Sequence, residues 1–540
     1  MPMVVRKSQS ARPFASSRRL SAIAGVACMA VAQAAAEPIG IDTGRQLFVD
    51  DFLVESTAGV TRHWNKPTKL DAPLVWPGAG AAPCKTDGTA STNEPVNLTC
   101  ATDGGLWWDP IRRKFRLWYN ADWLGDICYA ESRDGVDWEY PDLGVAPGTN
   151  RIFEHDVIDS WCVVPNYAAE NPYADWKLHI SSPFNGSDDR LWTSADGIHF
   201  RELGLAGRSG DRSTMYFDPF RGEWVFSLRD YRKGFGRFRR RFTSRDFGGR
   251  NCRWSWRGIG KGVDPETHRG LVEPEEWLTS SNRGQRELYS FNAVAYESVM
   301  LGVMEMLYNT RNDNHDCEIV GMPKDTRLHF CFSRDGRTFE PRDEADISPE
   351  GWGSGSWDSG YLSSIGGICV VKDERLWFYY SGLRGDATRL STGKLWRRNG
   401  MYSNGAIGAA TLRRDGFAGM VADGKGEIVT RPVTFSGRHL FVNAECRFGS
   451  LAAEIAGEDG KPLEGFAKED CKAFSRADST KTELVFKGGD LSAFAGRPVR
   501  IRFFIHCGTL YSFWISPSKR GESRGYVAGG GPAYPGLCDL

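Results

Sequence analysis

None of the 13 cysteines forms a C-x-x-C pair, so the chain offers neither zinc-site nor thioredoxin-like spacing. No G-x-S-x-G elbow occurs and only nine histidines are spread over 540 residues. A Ser-His-Asp hydrolase therefore finds no support. The P-loop and the G-x-G-x-x-G dinucleotide fingerprint are both missing. Beyond the N-terminus no apolar run is long enough for a membrane-crossing helix. There is no charge excess either, with 68 basic against 68 acidic residues. That balance leaves no footprint for nucleic acid or an anionic membrane surface.

The N-terminus reads as an export segment. Arg6, Lys7, Arg12, Arg18 and Arg19 precede the short apolar stretch Leu20–Ala32, and Ala34-x-Ala36 offers a cleavage site before Glu37. Removing residues 1–36 takes away five basic and no acidic residues and leaves a formal charge of −5. The expected location is periplasmic or extracellular. In that oxidising setting a few cysteines are able to pair, for example Cys84 with Cys100, and buried free thiols are an equal alternative.

What the sequence has in abundance is glycine (62), tryptophan (19) and one recurring turn. "SRDGVDW" at 132–138 returns as "TSADGIHF" (193–200) and "CFSRDGRTFEP" (331–341), with looser copies at 243–254 and 411–420. Short hydrophobic strands precede every copy, as in "GLWWDPIRRKFRLWYN" and "TMYFDPFRGEWVFSLRD". Each unit reads as an antiparallel meander bounded by Gly, Pro and Asp. Five such units predict an all-β chain, a five-bladed β-propeller over 37–420. The stretch 421–520 alternates without the turn and predicts a C-terminal β-sandwich, and 521–540 reads as a tail. "RQLFVDDFLVE" (45–55) is expected to complete the last blade's sheet.

In such an architecture the starts of the innermost strands converge on a funnel. Acids near those starts are Glu94, Asp159, Asp211, Glu287 and Asp358, and Asp159 and Asp211 share a register seven residues before Asn166 and Asp218. Glycosidic hydrolysis needs two carboxyl groups, one donating a proton to the leaving oxygen and one acting as base or nucleophile. Acids at these positions also suit turn caps or a structural calcium ion. Asp211 has Arg212 beside it and Arg229 on the next strand, and a cation holds a carboxylate ionised. Trp161 and Trp357 flank candidate acids and suit stacking on a sugar, as well as packing between blades. "GRFRRRF" (236–242) suits an anionic sugar, but a solvated outer strand is the simpler reading. The acids of the repeated turns (Asp134, Asp196, Asp246, Asp335, Asp415) read as turn formers, and Glu297 as structural.

The repeated S-x-D-G-x-x-[WF] strand ends, "RQLFVDDFLVE", "WWDP…FRLWY" and "GEIVTRPVTFSGRHLFVN" resemble glycoside hydrolase family 32 and its relatives in families 43 and 68. The resemblance implies a propeller with a sandwich and a carbohydrate in the funnel. The family's N-D-P-N-G, R-D-P and E-C-P strings do not occur; "NEPVN" (93–97) and "GDRS" (210–213) are the nearest echoes. The expectation is an exported glycoside hydrolase acting on an oligo- or polysaccharide. Asp211 would be base, nucleophile or stabiliser, Glu287 the acid, and Glu94 or Asp358 a third carboxylate. Asp159, Arg212, Arg229, Trp161 and Trp357 would bind substrate, with no cofactor and no metal in the reaction. A non-catalytic carbohydrate-binding propeller is the rival, and a polysaccharide lyase a third reading.

Overall fold

The repeated turn folds as its side chains dictate. The Ser132 hydroxyl accepts the Gly135 amide at 2.8 Å, and the Asp134 carboxylate accepts the amides of Val136 and Asp137 at 2.8 and 2.9 Å. Ser194–Asp196 and Ser333–Asp335 form the same bonds. Each carboxylate stands in for a backbone acceptor. Gly135, Gly197 and Gly336 supply the positive φ that follows, 75°, 72° and 68°.

A computed structural model describes residues 37–77, 98–122, 125–153, 158–181, 188–256, 270–279, 286–308, 317, 321–388 and 400–540. Among the described residues the named elements are β-strands and short 3-10 turns, an all-β arrangement. Residues 1–36, Cys84 and Glu94 lie outside the described residues.

Five antiparallel sheets follow one another. The first strands are Thr99–Asp109, Ser160–Pro165, Thr214–Asp218, Arg286–Glu297 and Gly360–Lys372, which here name sheets one to five. The first strands are almost wholly buried, and the outermost strands of sheets two and three are not. Ser160–Pro165 is wholly buried, whereas Arg201–Leu205 at the far edge of sheet two is largely not. The five first strands touch in cyclic order, and a single parallel bridge, Asp103 to Ile365, joins sheet one to sheet five.

The turns run the same circuit. The turn of sheet two accepts a hydrogen bond from Trp118 Nε1 of sheet one at Gly197 O, 2.8 Å. Phe247 of the third turn lies beneath Lys177 of sheet two, 5.7 Å from the ring centre. Arg221 of sheet three donates to Arg334 O of the fourth turn at 2.6 Å. Tyr296 of sheet four donates to Asp415 of the fifth at 2.5 Å. Tyr379 of sheet five donates to Gly135 O of the first at 2.7 Å. Each turn thus docks on the preceding sheet, and the first docks on the last. Aromatic pairs fill the seams, Trp118 with Trp176 at 4.9 Å and Phe330 with Phe378 at 4.6 Å. Packing on both faces explains strands such as Lys114–Ala121, buried at seven of eight positions.

Three expectations about the flanks change. Thr68–Lys69, not 45–55, supplies the outer strand of sheet five. Gln46–Leu47 and Val54–Ala58 pair instead with the C-terminal sheet. The boundary at 420 falls inside a continuous strand, Ala418–Thr430. The C-terminal sheet has nine strands organised around the long strand Arg500–Ser516 and wraps its own core, which includes Phe48, Leu440, Phe503 and Phe513.

Finally, 521–540 is no loose tail. Tyr526–Val527 pairs with the end of Arg286–Glu297, and Gly529 exchanges hydrogen bonds with Trp108 and Cys369. Tyr167 donates to Ala528 O, and Phe220 meets the Tyr526 ring at 5.1 Å. The segment therefore reaches all five sheets at the closing ends of their first strands. The two ends of the ring differ accordingly: one is covered by this segment, and the other carries charge.

Candidate active site

The charge gathers where the first strands begin. At its centre is Arg212, just before Thr214–Asp218, with a positive φ of 61° and 2 % exposure. Its guanidinium lies 3.4 Å from Asp103 and 2.8 Å from Glu305 and donates to Ser363. Its amide donates to the Ser160 hydroxyl. One side chain thus spans sheets one, four and five while its backbone is tied to sheet two. Arg239 lies alongside, fully buried, and donates to the carbonyls of Arg212 and Tyr289. A buried charge survives only with partners. Burial pushes Asp103 up to about 6 although Arg212 opposes it, and it raises Glu305 likewise. Burial also lowers Arg239 to about 9.

Two aspartates mark the next layer. Asp211 pairs with Arg229 at 2.9 Å, and both side chains stay 23 % exposed. Burial works to raise Asp211, but Arg229, Arg237, Lys324 and Arg239 together hold it below the usual carboxylate range. Asp159 moves the other way. Burial and then the charge of Asp211 push it up to about 6, against the Ser160 hydroxyl that donates to it at 2.7 Å and against Arg212. One carboxyl that favours its proton and one that favours its charge therefore act on each other across the starts of sheets two and three. Environments that split two acids in this way separate acid from base roles.

Glu287 stands nearby, engaged by Arg237 at 2.6 Å. Lys324, 4 % exposed, donates to the Tyr289 hydroxyl at 2.9 Å. Its ammonium lies 4.9, 5.6 and 5.5 Å from the ring centres of Tyr289, Tyr361 and Tyr402.

The structure thus brings Asp159, Asp211, Glu287, Arg212 and Arg229 together at one end of the ring. Asp358 is held elsewhere, by Lys69 at 2.8 Å, Ser356 at 2.6 Å and Tyr380 at 2.8 Å, all within or beside sheet five. Trp357 stacks on Tyr380 at 5.2 Å, and the Cβ position of Gly408 is 2.4 Å from its ring. Trp161 is fully buried and donates to Asn120 at 2.8 Å. Trp161 therefore fills space between sheets and offers no free face to a sugar, whereas Trp357 is half-buried with one face against Tyr380. "GRFRRRF" is corrected as well: Arg239, Arg240 and Arg241 are each under 9 % exposed and are paired, so this strand is not solvated.

Asp103, Glu305 and Lys324 were not singled out from sequence, and Arg237 and Arg239 only as part of "GRFRRRF". A signal existed for Glu305, a lone charge inside the apolar run "VMLGVMEMLY". In a buried strand such a residue must have a partner.

Among the described residues, no group of three or more His, Cys, Asp or Glu side chains is placed to hold a metal ion. Cys100 is a buried thiol, one of the two alternatives the sequence left open, while Cys84 lies outside the described residues.

No family model and no curated protein matches the chain. Among the solved structures similar to it are glycoside hydrolases. A glycosyl hydrolase from Bacteroides ovatus matches at 12% identity, covering 69% of this chain and 97% of that one, with a TM-score of 0.40. A family 32 β-fructofuranosidase from Bombyx mori matches at 11% identity over 80% and 94%, with a TM-score of 0.34. A fructofuranosidase variant from Schwanniomyces occidentalis, complexed with fructosylnystose, matches at 10% identity over 84% and 98%, with a TM-score of 0.36.

Proposed function

We propose that the chain is an exported glycoside hydrolase built on a five-bladed propeller with a C-terminal β-sandwich, and that it acts on an oligo- or polysaccharide. Two features of the fold support the propeller: the cyclic contact of the five first strands and the turns that dock each on the sheet before. Export rests on the basic and apolar pattern of residues 1–36.

The observation that carries the chemistry is the opposed pair Asp159 and Asp211. Asp159, buried and raised, is the proton donor to the glycosidic oxygen as the bond to the anomeric carbon breaks. Asp211, held ionised by its cations, faces the charge that develops on the sugar, either attacking the anomeric carbon or taking a proton from the incoming water. In both routes water supplies the hydroxyl of the new reducing end; its other proton returns to Asp159 in the first route, and in the second it sits on Asp211 until exchange with solvent resets both groups. Glu287, expected from sequence as the acid, instead positions Arg237. Arg212 fixes the ring of partners beneath both aspartates.

The test is release of reducing ends from a panel of glycans by the mature protein, Asp211→Asn and Asp159→Asn. The reading predicts release by wild type and a loss of at least about 10²-fold in both folded variants, the scale of general acid–base catalysis. Equal release by all three would end it. Saturable binding without release would point to the carbohydrate-binding module.

A further inference from the structure

The C-terminal sheet has one core face and one outer face. Along Ala418–Thr430, Ser450–Ala456 and Arg500–Ser516, alternate side chains turn inward, and Ile428, Leu451, Ala453, Phe503 and Ile505 join the sandwich core. The residues between them face out, where an antiparallel sheet is ordinarily polar. One outer rung departs from that. It aligns Ala452 with Phe504, Phe504 with Glu427, and Glu427 with Ala58. The next rung aligns Ser450, His506 and Lys425. Phe504 is only half-buried.

The chain builds a groove over these two rungs. Residues 468–473 form one wall, anchored where Phe474 and Ser475 pair with Leu451 and Ser450. The wall places the Lys468 ammonium 4.4 Å from the centre of the Phe504 ring. The groove has a volume of about 670 Å³, the size of a small-ligand site. Gly59, Gly426, Ala452 and Ala473 keep its lining low and leave Phe504 as its one aromatic surface. Donors and acceptors stand together round it: the ammonium groups of Lys425 and Lys468, the carboxylates of Glu427 and Glu469, the Ser450 hydroxyl and the His506 imidazole. With both signs on one rim, no net charge is selected. At the groove's end, a Cβ on Gly449 would lie 1.7 Å from His506 O, so the turn before Ser450 is pressed against that strand. The same turn holds Phe448 91 % exposed.

A ligand that fits must offer a flat apolar face to one ring and an edge that both gives and accepts hydrogen bonds. A sugar ring has C–H groups on its face and hydroxyls round its edge. An acyl chain would leave the polar rim without partners, and a strongly charged group would meet its own sign there. We infer that this groove is a second carbohydrate site, one that takes a neutral oligosaccharide with a sugar over Phe504 and a longer chain reaching Phe448. None of its residues belongs to the candidate active site, so the inference does not rest on the hydrolase reading.

The test is calorimetric titration of the mature protein with the hexasaccharides of cellulose, xylan, mannan and arabinan, and with hexagalacturonate as the charged comparator. Expected is saturable binding of at least one neutral member, weakened about tenfold or more in Phe504→Ala. Where the funnel takes the same sugar, the variant should instead bind one ligand fewer per chain. Lys425→Ala, at the exposed rim, is the second variant should Phe504→Ala fail to fold, with a loss of about threefold or more. Reducing-end release from a short glycan, where wild type shows it, should stay within about twofold in both variants, which separates the groove from the funnel. Binding of no neutral hexasaccharide, or binding unchanged in both variants, would overturn the inference even if hydrolysis is observed. So would tighter binding of hexagalacturonate that Phe504→Ala abolishes. Sedimentation of wild type as a dimer that Phe504→Ala converts to a monomer would also overturn it, because a second copy would then fill the groove. Groove binding without any cleavage would uphold the inference and leave the hydrolase reading to fail on its own test.

Discussion

Asp415→Asn tests the fold where the fifth copy of the turn departs from the others. Asn is nearly isosteric with Asp and tolerates the φ of 58° found there, so the substitution removes charge and little else. Asp415 is 1 % exposed, pairs with Arg45 at 3.0 Å and accepts hydrogen bonds from Ser512 at 2.6 Å and Tyr296 at 2.5 Å. Glu297 and Arg414 close the cluster at 2.8 Å. Burial alone would raise Asp415, but Arg45, then Arg414, with the hydroxyls of Ser512 and Tyr296, hold it down to about 2 against an ordinary 3.8. At about 1.4 kcal/mol per pH unit that difference is worth roughly 2.5 kcal/mol. Leaving two buried guanidinium groups to share Glu297 brings the loss toward the roughly 3–5 kcal/mol of a broken buried pair. Because the folded-state value is depressed, this stability is present above the ordinary carboxyl range and is lost as pH falls toward 2. Urea unfolding followed by tryptophan fluorescence should show the midpoint fall by about 1 M at a slope of roughly 3 kcal/mol/M. Asp134→Asn, in the exposed first copy of the same turn, should cost about 1 kcal/mol or less. Equal shifts in the two variants would refute the reasoning.

Asp159→Asn should lose activity and gain stability. An acid raised from 3.8 to about 6 in the fold costs stability progressively as pH rises between those values, and the full amount above them. The variant should therefore be more stable than wild type at pH 8, by up to roughly 3 kcal/mol, and by little at pH 4; a loss at both, read by thermal melting, would contradict this. Asp358→Asn should cost about 1–3 kcal/mol through its pair with Lys69, with kcat/KM on the cleaved glycan within about twofold of wild type. A selective loss of kcat would return Asp358 to the catalytic set. Gly336→Ala would place a Cβ 2.4 Å from the buried Asp218 carboxylate, whereas Gly222→Ala, at φ 66°, meets nothing within 4 Å. Both carry the roughly 1–2 kcal/mol of a left-handed residue, so melting curves should show Gly336→Ala as clearly the worse.

The repeated turns were legible because a Ser-x-Asp-Gly string encodes its own hydrogen bonds, whatever the rest of the chain does. The sheets followed, since short apolar strands between such turns have few alternatives. The placement of Asp159 and Asp211 was legible from their shared register. The flanks were not. "RQLFVDDFLVE" is a good strand sequence, but which sheet takes it is decided by its partner Arg500–Ser516, which lies more than 400 residues away. "GYVAGGGPAYPG" lacks strand periodicity because its work is done by backbone groups at the ends of other strands. The buried layer of Asp103, Arg212, Arg239 and Glu305 was hidden for a related reason: each charge looks misplaced until the partner from another sheet arrives. Arginine alternation in "GRFRRRF" imitates a solvated edge, and ion pairs rather than water satisfy it. Asp415 shows the reverse error, an ordinary turn acid by sequence that the assembly turns into a buried anchor.

The central claim is that Asp159 gives the proton and Asp211 holds the charge. The most direct measurement is the pH dependence of kcat/KM on a cleaved glycan for wild type and Asp159→Asn, since that parameter reports the free enzyme's acid and base. The account predicts an alkaline limb for wild type near pH 6, where Asp159 loses its proton, and a flat, much lower profile for Asp159→Asn over the same range. A limb that persists unchanged in the variant would place the proton on another group and contradict the account.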